Sequence, residues 1–306
     1  MDPKHLSPSS VFRAVCQDRL SCRPTADGDK VTRIEAIRRK GDPMKVTVLG
    51  GSAAAPNPGQ GCSGYLLECE RRSLLVDCGP GILPSLLRYR RLDNLDAIVL
   101  SHLHQDHVLD VVPMRYALKY APALHRRRIP LWVPPGGSLF LQRLAQVLAL
   151  GSEAADSFFA ETFEIAEFDP QSVLEILGWE IRFHPTRHWI PCWAFRITCA
   201  HATIVYTADT GWDDTLPSFA HGADLLIAEA TLPVESDPNA RSGHLTVSDA
   251  AMLAALADVR LLLLTHYWEP FDEGTTQALV HRSFSGSVLI ARTGLIVDLG
   301  PKGEIQ

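Results

Sequence analysis

The chain has 306 residues, 46% of them hydrophobic, 21% charged, and a formal net charge of −6. That supplies a globular core for one or two domains and gives no global attraction to nucleic acid, leaving only a local basic patch open. No run of about eighteen apolar residues is present, and the N-terminus lacks the regions of a secretory signal, so a cytoplasmic enzyme without a membrane partner is expected.

Residues 1–43 are rich in Arg, Lys, Asp, Ser and Pro and carry no sustained apolar period. They read as a poorly ordered N-terminal extension to a domain spanning 44–306. Met44 opens a strand through Lys45–Leu49, and a Gly/Pro/Asn loop over residues 50–64 follows. Tyr65–Cys69 and Ser73–Asp77 pattern as a hairpin. A helix is expected around Ile82–Arg90, a buried strand at Ala97–Leu100, and a helix over Val108–Leu118. The second half repeats the theme, with strands at Ile181–His184, Ala194–Thr198, Thr203–Thr207, Leu225–Glu229 and Leu261–Thr265 and short closing strands at Val288–Leu289 and Leu295–Leu299. Helices fall near Asp213–Ala220, Val247–Ala257 and Thr275–Ser283. The order suits an α/β fold of two mostly antiparallel sheets with helices outside. Seven cysteines, Cys16, Cys22, Cys62, Cys69, Cys78, Cys192 and Cys199, contain no CxxC pair and read as reduced thiols.

The chain holds 12 histidines, yet three of them fall in "SHLHQDH" (Ser101–His107) directly after the apolar run at Ala97–Leu100. A strand-to-helix loop is where open α/β sheets place their chemistry. In an extended segment residues two apart share a face, so His102 and His104 reach one ion together. Asp106 and His107 point elsewhere as the chain turns into the helix, and serve a second. Imidazoles with a carboxylate are a ligand set for zinc, with iron or manganese as alternatives. Asp209 in "YTADTG" and His266 in "LLLLTHYW" also end apolar strands. Singly, the first is a common turn residue and the second a common exposed one; together they converge on one sheet edge.

The His-x-His-x-Asp-His loop resembles that of the metallo-β-lactamase superfamily at His102, His104, Asp106 and His107, with similarity over roughly residues 44–300. The resemblance implies an αββα sandwich. It also implies further ligands at His188, in "RHWIPCWAFRI", at Asp209, where Ala208 replaces a glycine, and at His266. His184 ends a nearby strand-like segment and competes with His188. By analogy, His102, His104 and His188 hold one ion, Asp106, His107 and His266 the other, and Asp209 bridges them. Two divalent ions, zinc first and Mn2+ or Fe2+ next, then share a water that becomes the nucleophile. Asp77, in "LLVDCG", resembles an aspartate that supports the ligand loop, against the plainer reading of a strand-end turn.

Glu229 in "IAEATL" and His244 in "SGHLTVSDAAMLA" are similar to loops of the ribonuclease Z-like branch, where the histidine protonates the leaving oxygen and a carboxylate orients it. The plainer reading is a surface histidine before a helix capped by Thr246. Asp106, His244 and Glu229 are therefore the candidate catalytic residues. The RNA-gripping arm of ribonuclease Z has no counterpart between Arg196 and Asp209, and the basic cluster His125–Arg128 reads as a solvated face. The compact form resembles the small cyclic-nucleotide phosphodiesterases of this branch. The expectation is a dinuclear metal-dependent phosphodiesterase acting on a small-molecule diester such as a cyclic nucleotide, with a homodimer as an allowed state. The alternatives are an RNA 3′-processing nuclease, a lactone or thioester hydrolase, and a metal-binding scaffold without catalysis. Trp189, Trp193, Trp212, Tyr267 and Trp268 flank the ligand positions and are candidates to stack on a base or simply to pack.

Overall fold

A computed structural model describes residues 44–121, 127–151, 153–200, 202–232 and 243–300. The extension expected over residues 1–43 lies outside them, as do His125 and Arg126 of the basic cluster. The first half runs β1 (Met44–Gly50), β2 (Gly64–Cys69), β3 (Arg72–Val76), α1 (Ile82–Leu86), β4 (Ala97–Val99), α2 (Gln105–Val108), α3 (Val111–Tyr120), β5 (Ile129–Val133), α4 (Gly137–Leu148) and β6 (Phe163–Glu167). The second half runs β7 (Leu174–Ile176), β8 (Trp179–Pro185), β9 (Trp193–Cys199), β10 (Ala202–Tyr206), α5 (Leu216–Ala220), β11 (Leu225–Glu229), α6 (Val247–Leu256), β12 (Leu261–Thr265), α7 (Glu273–Val280), β13 (Ser287–Ile290) and β14 (Ile296–Leu299).

The strands form two seven-stranded sheets, ordered β14-β1-β2-β3-β4-β5-β6 and β13-β12-β11-β10-β9-β8-β7. Side chains alternate across each strand, so each sheet has two faces to cover. The inner faces meet in one apolar cluster that includes Val46, Leu67, Leu74 and Val99 from the first sheet and Phe195, Ile204, Ile227 and Leu263 from the second. The outer face of the first sheet packs on α1, α3 and α4 through residues such as Ile98, Ile82, Met114 and Leu141. The outer face of the second packs on α5, α6 and α7 through Leu226, Leu262, Leu216, Leu253 and Val280. The result is the αββα sandwich.

The sheets are mixed rather than mostly antiparallel. β14-β1-β2-β3 pair antiparallel while β3-β4-β5-β6 pair parallel. In the second sheet β7-β8-β9-β10 are antiparallel and β10-β11-β12-β13 parallel. Parallel neighbours deliver their C-terminal ends to the same edge. The ends of β3, β4, β10, β11 and β12 therefore open toward one rim, and they carry Asp77, the His102–His107 loop, Asp209, the Glu229 loop and His266.

Most expected elements are present, with shifts that have local causes. The helix expected over Val108–Leu118 is two: α2 starts inside the histidine loop at Gln105, and the chain turns at Leu109–Asp110 before α3. The Asp110 carboxylate accepts the Leu83 N–H at 2.7 Å, which anchors this turn to the start of α1. The hairpin turn at Glu70 and Arg71 has φ of 45° and 73°, the backbone of a tight two-residue connection. Thr246 caps α6 in a reciprocal capping box with Asp249. β5, α4, β6 and β7 had no counterpart in the sequence reading. β5 contains Pro130, which argues against an interior strand, and β7 is three residues long.

The loop after β3 is packed directly beneath the histidine loop. A Cβ on Gly79 would lie 1.8 Å from the Asp106 carbonyl oxygen, while Cys78 N–H donates to the His107 carbonyl at 2.7 Å. Gly79→Ala should therefore lower stability by about 1–3 kcal/mol or more, read as a lower denaturant midpoint; an unchanged midpoint would show that the two loops are not in this contact.

Candidate metal centre

The rim brings together all seven side chains expected there, in two groups sharing Asp209: His102, His104, His188 and Asp209, and Asp106, His107, Asp209 and His266; Glu229, His244 and His266 make a third, smaller cluster beside them. Within each group one potential ligand atom per residue lies within 4.8 Å of the others. The competing His184 is elsewhere, with Nε2 3.2 Å from the Thr215 hydroxyl and its ring stacked on Phe219 at 5.0 Å. The two oxygens of Asp209 face different groups. Oδ2 is 3.6 Å from His102 Nε2 and 3.8 Å from His188 Nε2, whereas Oδ1 is 3.3 Å from His107 Nε2 and 3.5 Å from His266 Nε2.

Counting hydrogens fixes which ring nitrogens carry lone pairs into the centre. His107 Nδ1 lies 2.7 Å from Asp77 Oδ2, an acceptor only, so Nδ1 carries the hydrogen. His188 Nδ1 donates to the Gly243 carbonyl at 2.9 Å. The Ser101 hydroxyl gives its one hydrogen to Asp77 Oδ2 at 2.8 Å, and so accepts from His102 Nδ1 at 3.0 Å. The Thr231 hydroxyl gives its hydrogen to Glu229 Oε2 at 2.6 Å, and so accepts from His266 Nδ1 at 2.7 Å. In neutral rings the inward Nε2 atoms of His102, His107, His188 and His266 are then bare acceptors.

These acceptors face one another. His107 Nε2 is 3.3 Å from His266 Nε2, and His188 Nε2 is 3.0 Å from His104 Nδ1. His266 Nε2 sits 3.1 Å from Asp106 Oδ2, whose only backbone donor is Ala54 N–H at 2.8 Å among the described residues. His102 Nε2 and Asp209 Oδ1 are buried without a hydrogen-bond partner. Converged lone pairs and two carboxylates in a buried site call for cations, so the donor set fits divalent metal ions. A proton is the alternative positive charge, and the electrostatics show the demand for one. Burial opposes a charged ring at His107, yet the Asp209 and Asp77 carboxylates raise it well above the usual histidine range. Burial likewise opposes charge on Asp209, but His266, His107 and His102 hold it well below the usual carboxylate range. His102 is pushed down to about 4 by burial and by neighbouring His107.

Local backbone geometry serves this convergence. Asp77, Ala208 and His266 have φ of 58°, 50° and 51°, left-handed conformations that non-glycine residues rarely adopt. Each turns the chain sharply at a strand end. Ala208 thus occupies a position whose backbone favours the glycine of the family pattern. Asp77 is fully buried and gathers four donors: Ser101 N–H and hydroxyl, His107 Nδ1 and the Tyr206 hydroxyl, at 2.7–2.8 Å. It is a support for the ligand loop rather than a plain turn residue.

Glu229 and His244 lie beside the second group. His244 Nδ1 is 2.9 and 3.1 Å from the two Glu229 oxygens, and Thr210 N–H holds the carboxylate from behind at 2.6 Å. The His244 ring is 5.1 Å from that of His188 and 5.6 Å from that of His266. Burial pushes His244 down, but the Glu229 carboxylate outweighs it and raises the ring above the usual histidine range. The sequence reading missed Ser101, Thr210, Thr231, Tyr206 and the Gly243 carbonyl. Only Ser101 and Thr231 had a signal, being adjacent to the histidine loop and two residues after Glu229. Of the flanking aromatics, Tyr267 is buried with its hydroxyl on the Ala291 carbonyl at 2.7 Å, Trp193 packs on Phe168, and Trp212 bonds Asp214. Trp189 and Trp268 are exposed.

The sequence profile of the family described as "Beta-lactamase superfamily domain" matches residues 72–267. The Bacillus subtilis (strain 168) protein named "Probable metallo-hydrolase YhfI" is 32% identical over 255 residues, covering 83% of this chain and 99% of that one. Its crystal structure superposes with a TM-score of 0.75 over 84% of this chain and all of that chain, at 31% identity. A ribonuclease Z from Mycobacterium bovis (strain BCG / Pasteur 1173P2) is 28% identical over 284 residues, 85% of this chain and 99% of that one. The short form of human tRNase Z shares the fold, with a TM-score of 0.62, 24% identity and coverage of 83% and 98%.

The Asp77 contacts generate a direct test. Asp77→Asn keeps the shape but removes the charge that orients His107, and should weaken retention of a divalent metal ion by about 10–100-fold in competition with a chromophoric chelator. An affinity equal to the parent's would remove Asp77 from the support of the site.

Proposed function

Since the chain belongs to the beta-lactamase superfamily, we propose that it is a metal-dependent phosphodiesterase that hydrolyses a small diester, with a cyclic mononucleotide as the leading candidate. The seven rim side chains hold two divalent ions, zinc first, with His102, His104 and His188 on one side of Asp209 and Asp106, His107 and His266 on the other. Such ions, when bound, withdraw charge from a phosphoryl oxygen and acidify water beside it.

The observation that carries the reading is the Glu229–His244 pair at 2.9 Å, in which His244 lies outside the two groups that share Asp209 and turns its Nδ1 to the Glu229 carboxylate. An aliphatic alkoxide leaves poorly without a proton, and a histidine raised by a carboxylate holds one near neutral pH. His244 supplies that proton to the leaving oxygen, and Glu229, fixed by Thr210 N–H and the Thr231 hydroxyl, orients the ring. Asp77, Ser101, Thr231 and the Gly243 carbonyl keep the hydrogens of the ligand rings on their outer nitrogens, leaving the inner ones free to bind metal. A small substrate is supported by the connection between β9 and β10, which consists of residues 200 and 201 alone and leaves no room for an RNA-holding arm there.

The test is a panel of cyclic mononucleotides, a transfer RNA precursor, a nitrophenyl phosphodiester and a lactone, offered to metal-loaded protein. Cyclic nucleotide turnover is expected; position-specific cleavage of the precursor would instead make the enzyme an RNA 3′-processing nuclease, and lactone turnover with inert diesters an acyl hydrolase. His244→Ala should lose roughly 10²–10⁴-fold in rate on a diester with an alkoxide leaving group, keep its metal, and lose much less on the nitrophenyl diester. Equal losses on both substrates would contradict the acid role.

The pH dependence has a defined sign. A required protonated His244 makes activity complete below its pKa and lost as pH rises through it. Because Glu229 holds that pKa up, Glu229→Gln should move the alkaline limb of kcat to lower pH. A limb that stays in place would assign it to another group.

A further inference from the structure

Trp189 leaves 60% of its surface exposed at the rim, where an aromatic ring can take part in stacking. The ring is nevertheless held in place. Its centroid is 5.1 Å from that of His188, at 46°, and 5.1 Å from that of His244, at 73°. Gly243 forms the third support, since a Cβ there would lie 2.8 Å from Trp189 Cε2 and Cζ2. The same Gly243 carbonyl fixes His188. Trp189 is therefore an aromatic surface seated against His188 and His244. Trp268, the other exposed tryptophan at the rim, lies beyond Tyr267 with no ring contact to His244 among the described residues.

We propose that Trp189 is a specificity residue that stacks on a planar ring carried by the leaving group, so that the leaving oxygen is that of a base-bearing alcohol, a nucleoside. The inference rests on His244 acting as the acid, because the group beside His244 is the one that receives its proton. In the step, a water oxygen forms a bond to phosphorus, the bond from phosphorus to the nucleoside oxygen breaks with its electron pair, and His244 gives that oxygen its proton. An acyclic diester then gives a phosphomonoester and a neutral nucleoside, whereas a cyclic mononucleotide, whose leaving oxygen stays tethered to phosphorus through the ribose, gives one nucleoside monophosphate. Stacking of one base on one aromatic ring supports about 10- to 100-fold discrimination.

Adenosine 5′-methyl phosphate tests this, because its two alkoxides differ little in leaving ability and the products report which one left. The parent should release adenosine and methyl phosphate. Trp189→Leu should shift the partition about 10-fold or more toward methanol and AMP, and Trp189→Phe should keep most of the parental preference. A partition ratio is independent of metal content and of the fraction folded, so a purely structural role for Trp189 would leave it unchanged. An unchanged ratio in Trp189→Leu, or a parent that releases mainly methanol, overturns the proposal. Binding of AMP against ribose 5-phosphate to metal-loaded protein, by calorimetry, separates the two levels of the account. If the parent hydrolyses no diester, the phosphodiesterase reading fails. A preference for AMP that disappears in Trp189→Leu would then still support the stacking site, and equal affinities would sink it as well.

Discussion

The structure depends on one electrostatic constraint: buried lone pairs converge on the rim of the sandwich with too few hydrogens among them. Four imidazoles present bare nitrogens inward because their other nitrogens are committed to Asp77, Ser101, Thr231 and the Gly243 carbonyl. Two carboxylates, Asp106 and Asp209, add negative charge in the same space. An unpaired buried acceptor costs on the order of 1–3 kcal/mol, and more when charged. The surrounding fold must therefore be stable enough to hold this arrangement together until cations satisfy it. The left-handed backbone at Asp77, Ala208 and His266 adds strain at the same rim.

The mixed sheets meet that constraint. Antiparallel halves, β14-β1-β2-β3 and β7-β8-β9-β10, build the extended apolar interior with short connections. Parallel halves bring successive C-terminal strand ends to one edge, and the helices that their crossovers require cover the outer faces. The two sheets contribute unequally to the site. The first supplies the loop carrying His102, His104, Asp106 and His107, with Asp77 beneath it. The second supplies Asp209, Glu229 and His266 from three adjacent strands and His188 from the β8–β9 connection. Asp209 is the shared element, with one oxygen toward each group.

Much of the candidate site was legible in the sequence because its residues sit at the ends of apolar strands, where a local pattern announces both the strand and its final polar residue. The "SHLHQDH" stretch carried the clearest signal, and "YTADTG" and "LLLLTHYW" gained meaning only jointly. The choice between His184 and His188 needed the path of the β8–β9 connection, which no spacing specifies. Supporting groups were illegible for a similar reason: Tyr206 reaches Asp77 across 129 positions, and the Gly243 carbonyl is a backbone atom. Sheet direction was misjudged because parallel pairing leaves no trace in a strand three to five residues long. β5, α4, β6 and β7 were missed where a proline inside a strand and very short segments weaken the periodicity.

The central claim is that two divalent ions complete the acceptor-rich rim on either side of Asp209, and metal content per chain tests it most directly. Protein loaded with zinc, freed of excess metal and analysed by elemental emission should hold two ions per chain, with Asp209→Ala retaining fewer than one. A parent that retains one ion or none after careful loading would contradict the account.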